Sequence, residues 1–428
     1  MRAYHDDGAG LRWLFIDLNS YFASVEQQLR PELRGLPVIV RPAESEHTCA
    51  IAASREARAF GIRTGTKVSE ARKACPDLRV IEARPDVYVD VHKCIMAEIE
   101  RHLPIRKVCS IDEAACELTG PDRLEANAVA LARRMQAGIK AEAGEYLRSS
   151  VGLAPSRFLA KTACGMDKND AVTVLRADRL PGPLLDLPLS RYPGVGPRMR
   201  ARLAAAGNVD TAGLWALTPA QARRLWNSIE GERIWRGLHG LDSADPPERP
   251  RASISHSHVL AKAMRTPEGA RAVARRLTVK CGARLRRMGL TGTGLSLHLD
   301  LGEVDRRGWG VTGLSAVFPA TCDTFVLLRA LDGLWGRVAH RTPGAPLSHV
   351  GVAVSGLRPL SEFAPDLFGW SPDQDGQARS LKLSRALDRL NTRFGKDTVS
   401  IGPKPDLPAY IGAKIAFNRI PDVEEFCE

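Results

Sequence analysis

Three acidic residues frame the chemistry that this sequence could do. Asp17 closes the short apolar run Trp13-Leu14-Phe15-Ile16, and Asp112 and Glu113 stand side by side far downstream. Phosphoryl transfer from a nucleoside triphosphate uses two magnesium ions ~3.5–4 Å apart, so two or three carboxylates must converge. Neighbouring residues on a strand point to opposite faces, and Asp112 and Glu113 can serve one metal centre only where a strand bends or begins. An isolated Asp-Glu pair is most often a solvated loop feature. The acids therefore matter only if the fold carries Asp17 to them.

The elements that could do so follow from the apolar pattern. Residues 13–16 read as a buried strand delivering Asp17 at its end, and Tyr21 to Leu29 as a helix. A compact inserted stretch follows to about Ala83, with a strand at 37–40 and helices at 54–60 and 68–75. A long helix (86–101), strands at 106–110 and 113–117, a helix (123–142) and a strand (149–153) complete the order βαββαβ, that of the ferredoxin-like fold. In such a sheet Asp17 and the Asp112-Glu113 pair reach neighbouring strand ends.

Past Gly182 the chain reads as helical, with a Pro193-Gly194-Val195-Gly196-Pro197 turn before a helix at 198–206 and a Thr218-Pro219 start for another. Leu241 to Pro250 is a linker rich in Pro and Asp. Beyond it a strand (253–260), a basic helix (267–287), strands at 295–301 and 311–318, a helix (322–340) and a strand (348–354) repeat the βαββαβ order, a common fold used twice. A final amphipathic helix is expected at 380–394.

Charge is unevenly spread. The net charge is +12, and between Arg251 and Arg358 sixteen Lys and Arg face six Asp and Glu, so one domain holds most of the excess. Arg271, Arg275, Arg276, Lys280, Arg284, Arg286 and Arg287 share the basic helix, and no acid occurs between Ala270 and Leu299. A solvated face is the usual account of such a run, but phosphate contact suits this one better. The nine cysteines include no Cys-x-x-Cys pair, which disfavours a zinc site or a disulfide framework. No 18-residue apolar run and no signal sequence occur, so a soluble, cytoplasmic protein is expected, associated with the nucleoid when on DNA.

Asp17-Leu18-Asn19-Ser20-Tyr21-Phe22-Ala23-Ser24-Val25-Glu26 and Cys109-Ser110-Ile111-Asp112-Glu113-Ala114 resemble the two metal-binding motifs of the Y-family, or translesion, DNA polymerases. Within that family the resemblance is to the bacterial polymerase IV and polymerase V branches. The resemblance covers about residues 12–358. It implies that Asp17, the Leu18 carbonyl, Asp112 and Glu113 hold two Mg²⁺ ions, with Mn²⁺ as a substitute. Phe22 takes the steric-gate position, where a ring under the sugar excludes a 2′-hydroxyl, although an ordinary core aromatic is the competing reading. Ala57-Arg58-Ala59-Phe60-Gly61 resembles the fingers motif whose Arg grips the β- and γ-phosphates, and 152–161 the segment whose closing Lys does likewise, which points to Arg58 and Lys161. Arg55 stands where many relatives place a Tyr, and Asn19 where many have an Asp.

By the same resemblance, 12–20 and 84–180 form a palm, 21–83 fingers and 181–240 a helical thumb; 241–251 is a linker, 252–358 a little finger and 359–428 a C-terminal extension. The fold class is α+β and multidomain. The 193–197 turn resembles a helix-hairpin-helix, in which Gly194, Gly196 and Arg198 face a DNA phosphate, and Arg275, Arg276 and Arg284 are expected to grip the duplex. The implied partners are primed template DNA and deoxynucleoside triphosphates, with Ala364 to Phe368 weakly similar to a sliding-clamp peptide; no membrane partner is expected. Small residues at Ala52 and Ala53 suit a permissive site. The implied activity is template-dependent DNA synthesis across damage without proofreading. Two rivals are a non-catalytic DNA-binding mutasome scaffold, which would be expected to lack the carboxylates, and a two-metal nucleotide cyclase, which would not need the hairpin turn or a basic domain.

Overall fold

A computed structural model describes residues 10–42, 46, 48–241, 250–260, 262–301, 311–339, 347–362, 374–395, 398–401 and 420. The chain divides into two compact units, one built on Met1–Pro246 and the other on Pro247–Gly412.

The first unit begins with β1 (Trp13–Leu18), which runs straight into α1 (Tyr21–Leu29) through Ser20 in a left-handed conformation (φ 53°). A small sheet follows, from β2 (Val38–Arg41), β3 (Ala52–Ala53), α2 (Arg55–Ala59), α3 (Val68–Ala74) and β4 (Arg79–Glu82), with strand order β3-β2-β4. It has its own core of Ile39, Ala53, Ala57, Ile62, Val68 and Leu78. The chain then returns through α4 (Pro85–His102), β5 (Ile105–Val108), β6 (Glu113–Glu117), α5 (Glu125–Glu142), β7 (Ser149–Ala154), α6 (Arg157–Met166) and β8 (Val172–Val174). The main sheet has the order β5-β6-β1-β7-β8, in which the first four strands follow the ferredoxin-like pattern. Strand β8 was not expected, being three half-buried residues paired parallel to β7.

Strand β1 is apolar at every position from 13 to 16 because both faces of the sheet are covered. Leu14, Ile16 and Leu18 pack with Ile95 and Ile99 of α4 and Met135 and Ile139 of α5. Trp13 and Phe15 pack on the other face with Leu159 and Ala163 of α6. By the twofold alternation of a strand, Asp17 lies on the α6 face. Helix α6 can approach because Gly152 has no side chain: a Cβ there would stand 1.9 Å from the Ala160 carbonyl oxygen.

Four helices complete this unit: α7 (Pro197–Ala205), α8 (Thr211–Ala216), α9 (Pro219–Trp226) and α10 (Ile229–Leu238). The Thr218-Pro219 start is realised as a capping box, in which the Thr218 hydroxyl accepts from the Gln221 N–H while the Gln221 side chain accepts from the Thr218 N–H.

The second unit contains β9 (Ser253–Val259), α11 (Pro267–Arg287), β10 (Leu290–Leu301), β11 (Val311–Thr321), α12 (Thr324–Ala339) and β12 (Leu347–Ser355). The βαββαβ order is as expected, but the strand order is β11-β10-β12-β9, so the two sheets are not one topology used twice. All three neighbouring pairs are antiparallel. One face is covered by helices through Ile254, Leu277, Leu285, Leu297, Leu331 and Val352. A further helix, α13 (Gln374–Phe394), begins six residues before the sequence suggests and joins this helical layer. Its Asp388 takes a two-pronged bond from Arg286, with Nε at 2.6 Å and Nη2 at 2.8 Å. Most of the linker and the peptide from Ala364 to Phe368 lie outside the described residues. No described helix is long and apolar enough to cross a membrane.

Candidate active site

The acids meet through strand pairing. Strands β1 and β6 run antiparallel with Asp17 directly opposite Glu113. Asp112 sits in the turn just before β6, and its carbonyl accepts from the Leu18 N–H at 2.8 Å. The requirement that a strand begin at the acidic pair is met, because β6 starts at Glu113. The turn is fixed on two sides. Ser110 Oγ donates to Asp112 Oδ1 at 2.5 Å, and His92 Nδ1 lies 2.8 Å from the Ile111 carbonyl.

A cleft of about 220 Å³ opens at this strand end, lined among others by Asp17, Phe22, Ala52, Arg58, Asp112 and Lys168. Burial pushes the Asp17 carboxyl up to about 6, the Lys168 ammonium opposes this, and the charges of Asp112 and Glu113 add to the rise. Burial raises Asp112 as well, against the Ser110 hydrogen bond and with the push of Glu113. Mutually repelling buried carboxylates are a place that lacks positive charge.

Ammonium groups supply part of it. Lys168 Nζ lies 2.7 Å from Asp17 Oδ2, and Lys161 Nζ bonds both oxygens of Glu113 at 2.9 and 2.7 Å. Among the described residues no three His, Cys, Asp or Glu side chains stand together as a metal-holding group. The backbone register, the buried charge and the all-oxygen donor set nevertheless fit hard divalent cations, which would take the place of the two ammonium groups.

The structure sorts the remaining expectations. Arg58 lines the cleft, its Nε donating to the Ala53 carbonyl at 3.2 Å. Phe22 lines it too, stacked on Tyr88 with ring centroids 4.6 Å apart. Lys161 is turned to Glu113, and it is Lys168 that shares the cleft with Arg58. Lys168, which the motif match did not single out, lies seven residues beyond Lys161, two residues past the last residue of α6. Asn19 donates to Ser150 Oγ at 3.0 Å, engaging the neighbouring strand.

The DNA-facing expectations divide similarly. Gly194 needs its glycine, with φ at +79°. Gly196 is the N-cap of α7, and Arg198 and Arg200 are exposed just behind it. On α11 the picture changes. Arg284 is only 4% exposed, and Arg275 bonds both oxygens of Asp332 at 2.9 and 2.8 Å. Arg276 is half-buried. As placed, Arg284 is buried and Arg275 faces a neighbouring helix, and the acids missing locally arrive from α12 for Arg271 and Arg275 and from α13 for Arg286.

Comparison with known proteins completes the picture. The model of the impB/mucB/samB family matches residues 16–165, and that of its C-terminal domain residues 251–367. The chain is 34% identical over 392 residues to DNA polymerase IV of Moorella thermoacetica, covering 90% of this chain and 94% of that one. DNA polymerase IV of Pelotomaculum thermopropionicum is 32% identical over 90% of this chain and 93% of its own. DNA polymerase IV 2 of Mesorhizobium japonicum is 31% identical over 91% and 93%. Among solved structures, a Y-family DNA polymerase chimera of Dbh and Dpo4 superposes with a TM-score of 0.68 at 20% identity, over 81% of this chain and 99% of that one. An insertion ternary complex of Dbh DNA polymerase gives a TM-score of 0.53 at 20% identity, over 80% and 98%. The fold is that of a Y-family polymerase, α+β and multidomain. The chain belongs to the impB/mucB/samB family of Y-family translesion polymerases, and its activity is that of a DNA-directed DNA polymerase. Helix α13 lies beyond the residues that the two family models match.

Proposed function

We propose that the protein extends a primer 3′-hydroxyl on a DNA template by in-line attack on the α-phosphate of a deoxynucleoside triphosphate, in translesion synthesis without proofreading. The observation that carries this reading is the pairing of Asp17 with Glu113, with Asp112 in the turn beside them. Asp17, the Leu18 carbonyl, Asp112 and Glu113 would hold two Mg²⁺ ions, for which Mn²⁺ could substitute. Bound there, the ions activate the attacking hydroxyl and neutralise charge on the triphosphate.

The side chains supply the rest. Arg58 and Lys168 lie on one cleft with Asp17 and Asp112 and suit the β- and γ-phosphates. Lys161 would free Glu113 as the cations enter. Phe22 lies in the same cleft and would sit beneath the sugar, closing the space of a 2′-hydroxyl. Ala52 also lines the cleft, and so small a side chain suits a damaged template base.

Residues 12–20 and 84–180 are read as the palm, 21–83 as fingers, 181–240 as the thumb and 252–358 as the little finger. Gly194, Gly196 and Arg198 would meet the DNA backbone through amides and charge. Primed DNA and deoxynucleotides are the partners, in the cytoplasm. Primer extension with Mg²⁺, template and labelled deoxynucleotides tests the proposal. A scaffold gives no product, and a cyclase consumes nucleotide without extending the primer.

A further inference from the structure

The ring of Phe22 does not stand alone at the cleft. It is packed between Tyr21, with centroids 5.6 Å apart at 50°, and Tyr88, at 4.6 Å and 24°. Both tyrosines are held at their hydroxyls. Tyr21 Oη donates to the Tyr88 carbonyl at 2.6 Å, and Tyr88 Oη donates to Glu26 Oε1 at 2.8 Å. Glu26 is wholly buried, one helical turn after Phe22 on α1.

Arg84 completes the assembly. Its Nε donates to Glu26 Oε1 at 3.0 Å and its Nη2 to Oε2 at 2.7 Å, the two-pronged arrangement that fixes geometry as well as charge. Arg30 approaches Oε2 at 3.5 Å from the following turn. Arg84 is also the N-cap of α4, where the chain comes back from the small three-stranded sheet, and α1 is where it departs. The pair therefore ties the two ends of that insertion together directly beneath Phe22.

Burial of such a pair is costly, and well-packed apolar residues often do as well or better for stability. A fully satisfied ion pair does, however, allow one relative placement of α1 and α4. We infer that Tyr88, locked by Glu26 and Arg84, is a positioning residue that sets the place of the Phe22 ring and so tunes discrimination between deoxy- and ribonucleotides. This rests on reading Phe22 as the steric gate.

The test compares kcat/KM for dCTP and CTP opposite template guanine, using the full chain and the variants Phe22→Ala, Tyr88→Ala, Tyr88→Phe and Glu26→Gln, each with its melting temperature. Phe22→Ala is expected to raise relative use of CTP most. Tyr88→Ala should raise it between about twofold and tenfold, the range expected for loss of a stacked aromatic pair. Tyr88→Phe keeps the ring and loses only the bond to Glu26, so it should fall between wild type and Tyr88→Ala. Glu26→Gln, with both tyrosines intact, should also raise the ratio. If Phe22→Ala raises it while Tyr88→Ala and Glu26→Gln leave it at the wild-type value, the inference is overturned and the gate stands. If Phe22→Ala leaves it unchanged, the gate reading falls and this inference with it. Should Tyr88→Ala not fold, Tyr88→Phe and Glu26→Gln decide, since neither removes a ring.

Discussion

The two βαββαβ sheets of this chain differ in where they put their first and third strands. In the first unit β1 and β6 are neighbours at the centre of the sheet, and Asp17 and Glu113 stand opposite each other. In the second unit the corresponding strands, β9 and β11, are the two outer edges. Two acids placed at equivalent points of the second sheet could not meet. The same succession of elements thus supports a charge-collecting centre in one case and excludes it in the other, and the deciding variable is strand order.

Asp112→Ala is the change that would break this contrast most sharply. Single-turnover extension should fall at least about a hundredfold, a barrier rise of roughly 2.7 kcal/mol. Extension surviving within about tenfold would show that the first sheet is not the catalytic one. In the second unit the matching change is Asp388→Ala, which takes the carboxylate from an Arg286 side chain only 7% exposed and leaves it the Cys322 carbonyl and Thr324 Oγ1 as partners. A loss of about 1.5–3 kcal/mol in urea denaturation is expected, with the extension step unaltered once folded. Loss of chemistry instead would blur the division of labour.

A third outcome concerns pH. Asp17 titrates in the folded protein at about 6, above its ordinary value of 3.8. Its protonated form is favoured by folding, so with chelator present it contributes stability below that ordinary value, lost as pH rises through about 6. Denaturation at stepped pH should show the decline, and Asp17→Asn should remove it. Smaller again, Lys168→Ala should raise the KM for deoxynucleotide about tenfold, and Lys161→Ala less. Steady-state kinetics in which Lys161→Ala had the larger effect would restore the sequence reading. Least of all, Arg275→Ala should change the salt dependence of DNA binding by less than the roughly one unit per phosphate contact expected of Arg198→Ala. Fluorescence anisotropy across salt concentrations measures both.

Much of this was legible before any coordinates. The apolar run ending at Asp17, the strand starting at Glu113 and the Thr218 cap depend on local pattern, and each came out within a residue or two. The strand order of the second sheet did not, because pairing is decided by contacts distant in sequence. The ion pairs of Arg275 and Arg286 were hidden for the same reason. Their balancing acids, Asp332 and Asp388, are 57 and 102 residues away. Lys168 was passed over because it falls just past the end of α6, where a short motif no longer reaches.

Gly152 sets a limit on how this chain can drift. With a Cβ at 1.9 Å from one backbone oxygen of α6 and 2.5 Å from a backbone nitrogen, not even alanine fits without moving the helix. That helix carries Lys161 and leads to Lys168, so displacing it would shift both ammonium groups off their acids. Random mutagenesis screened for polymerase activity should therefore recover this position unaltered. The least chemically endowed residue near the centre would then prove as unchangeable as the acids beside it.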